Sequence, residues 1–229
     1  MDLPQLIKIL SPFPIFQSLE ECDWGPLLEG HRFKNLPHHH ALYTAGETAE
    51  TFSVVLTGAF KLVRPTPRGE DAIVYFPTPG DIIGGLVMLK PAGTYPVSAI
   101  ALGASTVLTL PRSTYANGWA KNAAIQLRLN SSLYSRMSVL QEDKANSKLS
   151  LQQRIASLLL SLLSKQPSSA GKKLSIPLTR QEIADSVGSS VESVIRSMSE
   201  MAHQGIIQTE DKQIEILRAD KIVEMLRNP

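Results

Sequence analysis

The stretch Leu178–Ile207, LTRQEIADSVGSSVESVIRSMSEMAHQGII, constrains this chain more than any other, because its local signals set two short helices and the turn between them. Thr179 and Glu182 form a capping box, in which each side chain satisfies a backbone N–H that a helix start leaves without an intrahelical partner. A helix therefore begins at Arg180. Ile183, Ala184 and Val187 share one face of it, Ala184 is small enough to admit a second helix, and Gly188 supplies the backbone freedom of a tight turn. Ser189 and Ser190 are N-cap residues for the next helix, where Val191, Val194, Met198 and Met201 recur at helical spacing and leave Glu192, Ser193 and Arg196 pointing elsewhere. Gly205 closes that helix. Short β-like runs between Ile206 and Leu217, around Glu210, Asp211 and Lys212, complete the pattern of a winged helix-turn-helix.

The outward residues suit double-stranded DNA. Arginine donates two parallel hydrogen bonds to guanine O6 and N7, and glutamate accepts from cytosine N4, both in the major groove. Glu192 and Arg196 stand one helical turn apart on one face. An isolated pair of this kind also occurs as a weak ion pair on a solvated helix. A helical hairpin buried in a larger domain would need partners for Arg180, Gln181, Glu192 and Arg196. Phosphate contacts are expected from Lys172, Lys173, Arg180 and Lys212, from serine hydroxyls and from the free N–H groups of a helix N-terminus.

With 229 residues, 43% of them hydrophobic, the chain can build a core in each of two domains. Lys and Arg number 23 against 21 Asp and Glu, so the formal charge is only +2, and DNA binding must rest on placed contacts rather than a basic surface. Cys22 is the single cysteine, which forbids an intramolecular disulfide and supplies too few ligands for a cysteine-held cluster. No apolar run of about eighteen residues suggests a membrane span and no signal-peptide pattern opens the chain, so a cytoplasmic location is expected. Nucleophile-elbow, P-loop and HExxH spacings are missing, so an enzyme is not expected.

Leu3–Leu28 carries Pro4, Pro12, Pro14 and Pro26 among apolar clusters, as short helical turns would. From Phe33 to about Leu110 the chain changes to short runs rich in Val, Ile, Thr and aromatics, punctuated by Gly46, Gly58, Gly69, Gly80 and Gly84, the pattern of an antiparallel β-sandwich or roll. Strands are expected at Phe52–Leu56, Ala59–Val63, Ala72–Phe76 and Val97–Ala101, with Gly58 and Gly69 in turns. Between Ala123 and Lys148 there is neither Gly nor Pro, and Leu133, Met137 and Leu140 follow coiled-coil spacing, with Asn130 and Lys144 extending it. That helix is read as a dimer seam, the alternative being a helix packed on the roll. Two-fold dimers are the usual way for a helix-turn-helix to read enough base pairs. Leu151–Leu163 is a further apolar helix, and Leu174–Leu178 is strand-like.

This order of elements resembles the CRP/FNR family of bacterial transcription regulators over essentially the whole chain. Two places carry the likeness: Thr179–Ala184 (TRQEIA) with Val191–Arg196 (VESVIR) in the recognition-helix slot, and Gly80–Gly84 (GDIIG), which looks like the family's G-D-x-[IF]-G turn. Ser197 departs from the apolar residue usual at its position. The resemblance implies an α+β fold: an N-terminal, cyclic-nucleotide-binding-like antiparallel β-roll that senses an effector (1–120), a long dimerisation helix (121–148) and a C-terminal winged helix-turn-helix (149–229). It implies a homodimer on a palindrome with TGA-like half-sites. Glu192 and Arg196 would read a G·C pair and a guanine, Arg180, Gln181, Ser190 and Ser193 would touch phosphates, and Ile195 would meet a thymine methyl. RNA polymerase is the added partner of an activator, and effector state would reorient the DNA-binding domains through the long helix.

Members that bind cyclic AMP carry Glu directly after the turn glycine, an Arg-Ser pair further on and Thr-Ser on the long helix. Here Gly84 is followed by Gly85 and Leu86, and the other slots hold Pro96-Val97 and Val139-Leu140. A buried phosphate without an Arg or comparable donors is costly. Tight cyclic AMP binding is therefore not expected, and the slot suits an apolar ligand, a haem or nothing. His38 and His40, on one face of an expected strand near the first turn, keep a haem-based nitric oxide sensor as an alternative. A signalling module acting through protein contacts is another, but it would more naturally present apolar or aromatic anchors where Glu192 and Arg196 stand.

Overall fold

A computed structural model describes residues 2–66, 71–145, 149–166, 171–210 and 212–227; the side chains of residues 71, 136, 139–145 and 227 lie outside that description. Val139, Leu140 and Lys144 are among those side chains, and Gly69 and Asp211 lie outside the described residues. The chain divides into two compact units, residues 1–60 with 77–142 and residues 61–76 with 143–229.

In the first unit, α1 (Leu3–Leu10) begins at an Asp2 cap with Pro4 in its first turn, and α2 (Trp24–Leu28) precedes the strands. The strands of the sheet are β1 (Arg32–Leu36), β2 (Ala41–Tyr43), β3 (Thr51–Pro65), β4 (Asp71–Tyr75), β5 (Ile82–Ile83) and β6 (Ser98–Pro111), of which β4 and the end of β3 belong to the second unit. They pair in the order β1-β6-β3-β4, with β2 also on β6 and β5 also on β3. Arg32 faces Thr109 and Leu36 faces Ser105 in an antiparallel register. Strand β3 passes into the second unit after Phe60, where its end pairs with β4 from Leu62↔Tyr75 to Pro65↔Asp71.

Gly58 is not a turn between two strands, as its position suggested, but lies inside the continuous β3. Its φ of +75° is a left-handed conformation, and a Cβ there would stand 2.3 Å from Ser105 Oγ and 2.6 Å from the Ala104 carbonyl oxygen. Glycine thus serves close strand approach, and Ser105 Oγ uses it to donate to the Ala59 carbonyl at 3.0 Å.

After β6 come α3 (Arg112–Asn117) and α4 (Ala123–Ala145). The core centres on Trp119, fully buried, with ring centroids 4.8 Å from Phe52 and 5.7 Å from Phe16, and with Nε1 donating to the Leu27 carbonyl at 2.9 Å.

The second unit holds α5 (Leu151–Ser164), α6 (Arg180–Val187), α7 (Val191–His203), β7 (Ile207–Glu210), β8 (Gln213–Ile216) and α8 (Ala219–Arg227). Ile155, Ala156, Leu159, Ile183, Val194 and Met198 form its buried centre. Leu174–Leu178 is not a strand: only Lys173 bridges Glu215, with Leu174 N–H donating to the Ile214 carbonyl at 2.8 Å. Pro177 has no N–H with which to continue a ladder.

Candidate nucleic-acid interface

The helix-turn-helix is assembled by local chemistry. Thr179 N–H and Oγ1 donate to Glu182 Oε2 at 2.9 and 3.0 Å, and Glu182 N–H donates back to Thr179 Oγ1 at 3.2 Å, so the capping box is closed. Helix α6 ends at Gly188 in a left-handed conformation, φ +63°. Ser190 caps α7, its Oγ accepting from Ser193 N–H at 3.3 Å and donating to Ser193 Oγ at 3.0 Å.

Helix α7 buries Val194, Met198 and Met201 and leaves Glu192, Ile195 and Arg196 exposed, with Ser193 and Ser197 half-buried. Ile195 keeps 47% of its surface accessible. The acceptor Glu192, the apolar Ile195 and the fork of Arg196 therefore share one uncovered surface. Arg180 Nη2 donates to Thr209 Oγ1 on β7 at 3.1 Å, which ties α6 to the wing, and burial holds its pKa below the ordinary arginine value. Gln181 is exposed and donates to Asp185 Oδ1 at 2.6 Å. Lys172, Lys173 and Lys212 are exposed, Lys212 at the wing turn with φ +65°.

Two side chains absent from the sequence reading hold the ends of α6. Lys61, at the second unit's end of β3, donates from Nζ to Glu182 Oε1 at 3.0 Å. Arg154 of α5 donates from Nη1 to the Val187 and Gly188 carbonyls where α6 ends, a cation at the negative end of a helix. Their sequence distance leaves no local signal. Burial alone would raise the Glu182 carboxyl, but the bonds from Thr179 and the Lys61 ammonium outweigh it and hold the carboxyl below its ordinary value. A depressed folded pKa contributes stability that is present above the ordinary value and is lost as pH falls through the folded one. The second unit is therefore expected to weaken in acid below the ordinary carboxylate range, and Glu182→Gln to flatten that dependence; thermal melts in a pH series compare the two.

In the first unit, Gly84 and Gly85 lead into a short helical turn, Gly85–Leu89, with Gly84 left-handed at φ +78°. Gly85 and Leu86 line a cleft of about 50 Å³ together with Leu89, Gln126, Leu129 and Leu133, and among the described side chains no charged one lines it. A Cβ on Gly85 would stand 2.8 Å from Ile82 Cγ2, so this position has no room for a longer side chain without movement. Pro96 and Val97 lie in a bend before β6 and do not line the cleft. Arg112 holds the turn from the protein side, its Nη1 donating to the Lys90 and Met88 carbonyls at 2.7 and 3.3 Å and its Nη2 to the Ala49 carbonyl at 2.6 Å. Leu133, placed in the seam by its spacing, is half-buried in this cleft, whereas Leu127, Tyr134 and Met137 are 69%, 75% and 58% exposed.

His38–His40 do not continue a strand: they occupy the exposed β1–β2 turn, His39 has φ +65°, and His38 Nδ1 accepts from Gly103 N–H at 2.9 Å. Pro37 breaks the alternation there. None of them lines the cleft. No described helix is long and apolar enough to cross a membrane.

Residues 153–225 match the Crp-like helix-turn-helix domain family, and residues 33–122 match the cyclic nucleotide-binding domain family. The CRP-like cAMP-activated global transcriptional regulator of Mycobacterium tuberculosis is 25% identical over 223 residues, 96% of this chain and 99% of that protein. The cAMP-activated global transcriptional regulator CRP of Salmonella typhimurium is 29% identical over 181 residues, 78% of this chain and 86% of that protein. FixK2 from Bradyrhizobium japonicum superposes with a TM-score of 0.74 at 20% identity, covering 85% of this chain and 96% of its own, which is a likeness of fold.

Proposed function

Because the chain belongs to the CRP/FNR family of transcription regulators, we propose that it is a homodimeric, sequence-specific DNA reader that recognises a palindrome with TGA-like half-sites without needing cyclic AMP. The uncovered face of α7, with Glu192, Ile195 and Arg196 side by side, is the observation that carries this reading. Glu192 and Arg196 read base edges, Ile195 meets a thymine methyl, and Gln181, Ser190 and Ser193 meet phosphates. Arg180 contributes charge beside the backbone while it braces the wing.

The second copy lies along α4. Leu127, Tyr134 and Met137, with Asn130 between them, recur at three- and four-residue spacing on its exposed face, and a partner helix would bury them. RNA polymerase is the further partner if the protein activates.

Cyclic AMP is a poor candidate for the slot beside Gly84 and Gly85. Among the described side chains the cleft shows no arginine for the phosphate and no acid for the ribose, and its 50 Å³ is well below the roughly 300–1,000 Å³ of ordinary ligand pockets. Titration calorimetry with cyclic AMP is expected to show no binding at micromolar concentrations; micromolar affinity would overturn this part of the reading.

The DNA reading is tested by selecting duplexes from a random pool with purified protein and no added ligand, at near-physiological salt. Enrichment of a palindrome with TGA-like half-sites is expected. A pool that stays random with and without candidate effectors would overturn it.

A further inference from the structure

Within the second unit, the hairpin end of β3 and β4 is fastened by two cations. Lys61 Nζ meets Glu182 Oε1 at 3.0 Å with the two side chains 14% and 3% exposed, and Lys165 Nζ stands 3.9 Å over the Tyr75 ring. A pair as buried as Lys61 and Glu182 contributes little net stability, because desolvation offsets its attraction; what it specifies is geometry.

The geometry here is directed. Glu182 uses Oε2 for the Thr179 cap and Oε1 for Lys61, so a single carboxylate joins the ammonium to the first turn of α6. Arg180 and Gln181 are the residues of that turn. The hairpin's Thr66 and Ala72 also line one open groove with Gln181, Asp185, Ser190 and Val191. Glu192, Ile195 and Arg196 do not line it.

We propose that Lys61 is a positioning residue for DNA reading: acting through Glu182, it sets the first turn of α6, and with it Arg180 and Gln181, in the place from which they meet backbone phosphates. This rests on the DNA-reading function proposed above. Lys61 itself is turned inward to Glu182 and touches no phosphate.

The test uses the full chain and the duplex selected by the wild type, with affinities measured across a salt series for Lys61→Met, Lys61→Arg, Glu182→Gln and the double variant Lys61→Met with Glu182→Gln. Lys61→Met is expected to weaken specific binding about tenfold with an unchanged salt slope, as for a contacting pair that couples to a site. Lys61→Arg, which keeps the charge, should stay within about threefold of wild type. Lys61→Met should add no further loss in the Glu182→Gln background.

Wild-type affinity in Lys61→Met would overturn the proposal. So would equal losses in the Met and Arg variants, which would indicate packing alone, or a salt slope reduced by about one, which would indicate a direct phosphate contact. Should Lys61→Met not fold, the double variant carries no buried charge and serves the same purpose: wild-type affinity there overturns the proposal and a tenfold loss supports it. A wild-type chain that selects no sequence removes the DNA reading itself; a wild type that binds beside an unaffected Lys61→Met removes only the role of Lys61.

Discussion

Replacing Trp119 with alanine is expected to destabilise the first unit by about 3–5 kcal/mol, the range found when a large aromatic is removed from a core that cannot close the space. The side chain is fully buried between Phe16 and Phe52, and its Nε1 satisfies the Leu27 carbonyl. Urea unfolding followed by circular dichroism should show the first unit's midpoint falling with an unchanged slope. Trp119→Phe separates the two contributions: it keeps a ring but leaves the carbonyl unpaired, which costs about 1–3 kcal/mol. A loss under about 1 kcal/mol for the alanine variant would show that the indole does not organise this core.

Arg196→Ala is expected to cost about 1–3 kcal/mol on the selected duplex and to relax the preference at one base pair of each half-site, because a bidentate contact to guanine discriminates by that amount. Lys173→Ala should behave differently. Exposed beside the wing, it should weaken specific and random DNA alike and flatten the salt dependence by about one unit of slope. Competition assays with single-base variants of the half-site distinguish these patterns. Equal losses on specific and random DNA for Arg196→Ala would remove it from base reading.

The helix-turn-helix was legible because its determinants are local. Thr179 and Glu182, Gly188, and Ser190 act on backbone groups within a few residues, so bounds at Arg180, Val187 and Val191 follow from the sequence alone. Gly58 shows the limit of such reading. Glycine signals a positive φ or a close approach, and the sequence does not say which; in β3 both occur inside a strand instead of between two. The long helix shows a second limit. Apolar residues lie on more than one face of α4, and their spacing does not say which of them pack inward: Leu133 is half-buried, whereas Leu127 and Tyr134 are exposed. Lys61 and Glu182, 121 residues apart, were out of reach of any local rule, as was Arg154 on the end of α6.

The passage of β3 from one unit into the other has a consequence for how this protein can be cut or recombined. The DNA-binding unit is discontinuous: it consists of residues 61–76 and 143–229. A fragment beginning at residue 143 would keep every residue of the helix-turn-helix and yet strand a buried carboxylate at Glu182, without the ammonium that neutralises it. Exchange of this unit between relatives accordingly requires two crossovers, the smaller carrying only a hairpin, and a chimaera made at a single junction would inherit the helix-turn-helix intact and its foundation incomplete.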